Sequence, residues 1–337
     1  MTSTVHRAVV VGQCQKSLFS VSTAPHDGAM IDPVSDLEST TVVGVDGSAS
    51  AHNAVRWAAT DAAARKTPML LVYAGVGKSG TSLSAAVNLR AGTTTNARAH
   101  AREALATARA IARSAVDDDL DVRIVLESAP PAETLIRYSE SARMLVLGSR
   151  RQSAVARAVL GSVSSVVAAH ARCPIAVIPE NYAVRSPGPG AGPVVVGLDH
   201  SSNDDAVLGT AFDQASHLGA SLRAVHACEK TDPAALFSEY VEYGPRLDPT
   251  SGPKRWIDRL LATWGEKYAS VDFTTHIATE RPSQALLNNA RDAQLVVVGA
   301  RSRGAIPPLR IGSTSRAVLH HVDIPVIVVP AVMGRES

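Results

Sequence analysis

Two aspartates, Asp46 and Asp199, each close a short apolar run, in TVVGVDGSAS at 41–50 and PVVVGLDHSS at 193–202. A carboxylate placed there can accept hydrogen bonds from a ribose or a base, and it can equally cap the helix that follows. A second constellation also occurs twice: a glycine ending an apolar run, a loop, then Gly-Ser opening a helix. Its members are Gly148 with Gly161 and Ser162, and Gly299 with Gly312 and Ser313. Glycine lets a backbone approach a phosphate closely, and a helix start offers unpaired N–H groups at the positive end of the dipole. With hydroxyls from Ser162, Ser164, Ser313 and Ser315, each set reads as a polyphosphate cradle. Taken once, the same residues read better as a strand-to-helix turn with a serine cap. Recurrence beside an aspartate in both halves shifts the weight toward the cradle. Arg150 and Arg301, just after the glycines, either offset phosphate charge or are solvated loop residues.

The elements that must hold these residues are written twice. Asp46 and Asp199 lie 153 positions apart, MLVLGSR at 144–150 matches LVVVGAR at 295–301, and Gly161/Gly312 and Pro174/Pro325 are each offset by 151. Short apolar runs and helical patterns alternate within each copy. In the first they predict strands near 41–46, 69–74, 122–127, 144–148 and 175–178, with helices near 50–65, 94–116, 132–141 and 162–170. In the second they predict strands near 194–199, 221–227, 271–278, 295–299 and 325–329, with helices near 203–218, 253–268, 283–291 and 313–321. The strands are short and almost wholly apolar, as in a parallel sheet covered on both faces. The fold class expected is therefore α/β: two tandem copies of a doubly wound, mostly parallel five-stranded sheet flanked by helices, Rossmann-like. The expected organisation is an N-terminal arm at 1–38, a first domain at 39–180, a Pro/Gly linker at 181–193, a second domain at 194–332 and a tail at 333–337. In such sheets ligands bind beyond the carboxyl ends of the strands where strand order reverses, which is where both constellations fall.

Composition narrows the alternatives. The 337 residues are 45% hydrophobic and 19% charged, a globular balance. A net charge of +2 gives no electrostatic reason for nucleic acid or anionic lipid as a partner, and 4% aromatic content supplies few stacking platforms. Cys14, Cys173 and Cys228 have neither disulfide-framework nor zinc spacing. Apolar runs of four to eight residues are too short to span a bilayer, and no leader is recognisable, so a cytoplasmic location is expected. VGKSG at 76–80 lacks the first glycine of a phosphate loop, Val72 standing there, and reads as a loop. His320 and His321 are placed to meet the last carbonyls of a helix, and Cys173 reads as a small, partly buried residue.

The doubled aspartate and Gly-Ser sets resemble those of tandem universal stress proteins over about 38–332. Nucleotide-binding members of that family carry G-x2-G-x9-G-[ST] after strand four. Here the outer glycines and the hydroxyl residue stand at 148–162 and 299–313, with Arg151 and Ser302 at the middle glycine position and Gly304 two residues beyond Ser302. The resemblance implies an adenine pocket from Val45, Asp46 and Ala74, with phosphates surrounded by Gly148, Arg150, Gly161, Ser162, Val163 and Ser164. Its second-half counterpart is Leu198, Asp199, Ala227, Gly299, Arg301, Gly312, Ser313, Thr314 and Ser315. It further implies ATP, with Mg2+, as the ligand, and pairing of domains or a homodimer through the strand-five edges, for which PIAVIP and PVIVVP are suitably apolar. The function expected is a non-catalytic, ATP-binding regulator of the stress response. A slow ATP hydrolase is the enzymatic alternative, against which no nucleophile and base pair recurs and the loop has no lysine for the β and γ phosphates. An interaction scaffold with degenerate pockets is the other.

Overall fold

The computed structural model describes residues 37–76, 94–116, 119–149, 161–182, 191–228, 251–300 and 311–331. The first half runs β1 (Thr41–Gly44), α1 (Ala49–Arg65), β2 (Met69–Ala74), α2 (Thr94–Ser114), β3 (Val122–Glu127), α3 (Pro131–Tyr138), β4 (Met144–Ser149), α4 (Ser162–His170) and β5 (Ile175–Pro179). The second half repeats the order as β6 (Val194–Gly197), α5 (Asp204–Leu218), β7 (Leu222–Ala227), α6 (Ser251–Lys267), β8 (Phe273–Ala278), α7 (Pro282–Asn289), β9 (Leu295–Gly299), α8 (Ser313–His321) and β10 (Val326–Val329).

Each half is a parallel sheet of order 3-2-1-4-5 in its own strand count, so strand order reverses between β1 and β4, and between β6 and β9. The halves share one ten-stranded sheet, joined where β5 meets β10 antiparallel, with Ala176 opposite Ile327. β5 lies between β4 and β10, and β10 between β9 and β5. The strand-five edges thus satisfy one another inside a single chain, which corrects the expected homodimer through those edges: neither is left open to a second copy.

Side chains alternate along every strand and divide the apolar interior into two layers. Val43, Val146, Val196 and Val297 face the layer made with α1, α2, α5 and α6, where Val55, Leu105, Phe212 and Leu261 are buried. Val42, Leu145, Val195 and Val296 face the opposite layer with α3, α4, α7 and α8, through Leu135, Val167, Leu286 and Val318. Both layers run across the β5–β10 seam. Helix ends follow local chemistry. Ser48 caps α1 by accepting from Ala51 N at 3.2 Å, and proline opens α3 and α7, where its missing N–H costs nothing. Lys66 and Gly219 close α1 and α5 in the left-handed conformation, at φ 55° and 58°. Among the described residues no helix is long and apolar enough to cross a membrane.

Candidate functional site

The aspartates sit slightly beyond where the sequence puts them. β1 and β6 end at Gly44 and Gly197, and one further sheet bond follows in each half, Val45 N to Val72 O at 2.9 Å and Leu198 N to Val225 O at 3.0 Å. The chain then leaves the sheet through a left-handed residue, Gly47 at φ 79° or His200 at φ 61°. Asp46 and Asp199 therefore stand in the turns past the strand ends, because those positive-φ residues break the ladder before the helices start. Val45 and Leu198 are buried beneath them.

In the first half Asp46 does not cap α1 itself. Its Oδ1 accepts from Ser48 N at 3.0 Å and Ser48 Oγ at 2.5 Å, while Ser48 makes the cap. The carboxylate holds the turn and stays exposed at the sheet's carboxyl end. Tyr73, on β2, has its phenol pushed up by burial and by the charge of Asp46. Ala74, at the end of β2, is half-buried.

Gly148 and Ser164 have roles different from the expected ones. A Cβ on Gly148 would lie 2.4 Å from both the carbonyl carbon and oxygen of Ser50 and 2.7 Å from Ala51 N, so glycine here admits the first turn of α1 onto β4. Ser164 Oγ donates to Gly148 O at 3.3 Å, and its counterpart Ser315 Oγ donates to Gly299 O at 2.6 Å. Both hydroxyl protons thus tie a helix to strand four. The N-caps of α4 and α8 are Gly161 and Gly312, and neither helix has a side-chain cap or an acidic residue in its first turn. The serine-capped turn considered from the sequence is absent at both sites. The N–H groups of Ser162, Val163 and Ser164, and of Ser313, Thr314 and Ser315, occupy the N1 to N3 positions, which have no partner inside a helix. Ser162 and Ser313 are exposed. Arg150, Arg151, Arg301, Ser302 and Gly304 lie outside the described residues, as do 77–80 of the VGKSG run.

The second-half site departs from the first in ways the sequence reading missed. His200 replaces Gly47 and packs against Trp256 with the rings tilted by 35° and centroids 4.4 Å apart, while His226, in the place of Tyr73, meets Trp256 edge-on at 5.6 Å. Asp204, in the place of Ala51, is buried and accepts from Asp199 N at 3.3 Å and Ser201 N at 2.9 Å. Burial, then the charge of Asp199, pushes its carboxyl up to about 6. The signal was present in HSSNDD at 200–205, where His200 and Asp204 replace the small, neutral Gly47 and Ala51 of the first half.

The remaining candidates are structural. Cys173 is fully buried and its thiol is pushed up to about 12 by burial, which suppresses the reactive thiolate. His321 Nδ1 lies 2.8 Å from Ala317 O near the end of α8. Among the described residues no three His, Cys, Asp or Glu side chains gather as metal ligands. A cavity of about 550 Å3 at the opposite, amino-terminal end of β1–β3 is lined by Lys66, Asp119, Asp121 and Arg123, of which Arg123 and Asp121 pair at 2.8 Å. It lies away from the strand-order reversal.

A doubled α/β sheet, with matched aspartates and glycine-capped helices at the strand-order reversal of each half, defines a tandem α/β protein. The universal stress protein family model matches residues 39–179 and 191–330, and the chain belongs to that family. Universal stress protein Rv2005c of Mycobacterium tuberculosis is 37% identical over 292 residues, covering 85% of this chain and 95% of that protein. The crystal structure of a universal stress protein from Archaeoglobus fulgidus covers 87% of this chain and 98% of its own, with a TM-score of 0.63 at 19% identity. A universal stress protein from the same organism, solved in complex with dAMP, matches 40% of this chain with a TM-score of 0.29.

Proposed function

We propose that this chain binds an adenine nucleotide, ATP, in the crevice between Asp46 and the start of α4, and acts as a non-catalytic regulator in the stress response. The observation that carries the reading is the pair of glycine N-caps on α4 and α8, which, among the described residues, leave the N1 to N3 donors without a side-chain cap at the switch point of each half. In this reading Asp46 accepts from the ribose or base above Val45 and Ala74. The backbone N–H groups of Ser162, Val163 and Ser164 bind phosphate, with Mg2+ carried by the phosphates. Arg150 and Arg301 would add positive charge.

The second pocket, from Leu198, Asp199 and Ala227 to Gly299, Gly312, Ser313, Thr314 and Ser315, is the weaker of the two in this account. The His200–Trp256 ring contact and the buried Asp204 beside Asp199 bring bulk and negative charge that Gly47 and Ala51 do not. Occupancy therefore begins in the first half. The test is native purification followed by denaturation and identification of any released small molecule, paired with a thermal shift in millimolar ATP and magnesium. At 100 times its dissociation constant a ligand stabilises by about 2.7 kcal/mol. Absence of both released adenine nucleotide and any shift would reject the reading.

A further inference from the structure

The seam between the halves carries a charge arrangement that is not symmetric, although the backbone around it is. Ala176 and Ile327 are equivalent positions, 151 apart, and face each other, with Ile175 opposite Val328 and Val177 opposite Val326. Exchanging the halves maps this ladder onto itself. The helices α1 and α5 meet above it, and there Asp61 accepts from Gln214 Nε2 at 3.3 Å, a contact between equivalent residues 153 apart. Around that contact Arg65 bonds Asp61 at 2.9 Å and Asp213 of the other half at 2.6 Å, while Arg143 reaches both Asp61 and Thr41. Asp61, Gln214 and the Arg65 side chain are buried. Burial alone would raise the Asp61 carboxyl, but the charges of Arg143 and Arg65 hold it low, so the group is an ionised member of the network.

Two guanidiniums therefore meet two carboxylates, and the balance exists only across unlike halves. The counterparts of Asp61, Arg65 and Arg143 are Gln214, Leu218 and Gln294, and the counterpart of Asp213 is Thr60. Two first halves paired through this seam would set Asp61 against Asp61 on the axis and strip each Arg65 of Asp213, with four guanidiniums for two carboxylates. Two second halves would bring Asp213 in twice, each about one-third exposed, with Leu218 in place of arginine, leaving it His217, 3.5 Å away on its own helix. Charges left uncompensated in a buried interface are strongly unfavourable.

We propose that the two halves are coded for each other: the face built on α1 and β5 accepts the α5 and β10 face of the same chain and rejects a second copy of itself. The seam then closes within one chain, and any self-association must use another surface. This inference is independent of the nucleotide reading.

The test uses the full chain. Oxidation of Ala176→Cys/Ile327→Cys should give a 176–327 disulfide within one chain, read by peptide mass spectrometry, whereas Ala176→Cys alone should give no 176–176 dimer. A 176–176 dimer, or a 176–327 link between chains, would overturn the proposal. For the charge code, Gln214→Glu should lower the unfolding midpoint by about 5 °C, and adding Asp61→Asn should recover at least half of that loss. If Gln214→Glu fails to fold, recovery of a folded chain in the double variant supplies the same comparison. Additive losses, or a double variant that also fails to fold, would refute the charge code.

Discussion

Replacing Gly148 with alanine separates a packing role from a ligand-contact role. The new Cβ would sit 2.4 Å from the carbonyl carbon and oxygen of Ser50 and 2.7 Å from Ala51 N. These are backbone atoms at the start of α1, so no side-chain rotation relieves the overlap and β4 must move away from the helix. Overpacking costs about 1–3 kcal/mol where side chains can adjust, and the upper end applies where they cannot. At about 2 °C per kcal/mol for a unit of this size, the unfolding midpoint should fall by about 6 °C. Gly161→Ala is the internal control, because a Cβ there finds no heavy atom of the described residues within 4 Å. Its expected cost is that of exchanging a glycine N-cap for alanine, at most about 1 kcal/mol. Both variants are compared without nucleotide by calorimetry or circular dichroism. If Gly148→Ala unfolds within 2 °C of the parent, the close approach of β4 and α1 is not what selects glycine at 148.

Three further outcomes follow from the same geometry. Ser48→Ala removes the α1 cap and a donor to Asp46, and should cost about 1 kcal/mol in urea unfolding; no loss would mean the turn is held by other bonds. Asp204 has a folded-state pKa raised to about 6 against 3.8, so its charged form destabilises above pH 6, and the penalty is relieved as pH falls toward 3.8. Between pH 7.5 and 5 the wild type should gain about 1.4 kcal/mol of stability relative to Asp204→Asn; a gap independent of pH would contradict the burial of Asp204 beside Asp199. Asp61, whose pKa is lowered, acts with the opposite sign and only below its ordinary value, so it does not confuse that window. Cys173 should resist alkylation in the native state and react on unfolding, as monitored by mass spectrometry; rapid native labelling would show that its burial is transient.

Much of the fold was legible because parallel strands buried on both faces read as apolar runs, and because the same landmarks occur twice. TVVG and VVVG, or MLVLGS and LVVVG, needed no tertiary information. The glycine and serine roles were less legible. Gly148 is fixed by the backbone of α1, and Ser164 by a carbonyl on β4, partners that only the folded chain brings near. The seam was half visible: apolar PIAVIP and PVIVVP signalled concealed edges, but not that they conceal each other. Asp61 gave no signal in an alanine-rich helix, since its meaning depends on Arg143 from β4's approach and Gln214 from the other half. The inequality of the pockets was written in His200 and Asp204, yet needed the Trp256 contact to become a physical difference.

Equilibrium titration of ATP with magnesium into the full chain and into Gly161→Glu tests the account most directly. The substitution adds a negative charge at the N-terminus of α4, where a Cβ meets no heavy atom of the described residues within 4 Å, so folding should be spared while phosphate is repelled. Binding by the parent chain and at least a tenfold weaker affinity in the variant, equivalent to about 1.4 kcal/mol, are expected, with a ligand-free unfolding midpoint within about 2 °C of the parent. Equal affinity in the two proteins, or no binding by the parent at millimolar ATP, would contradict it.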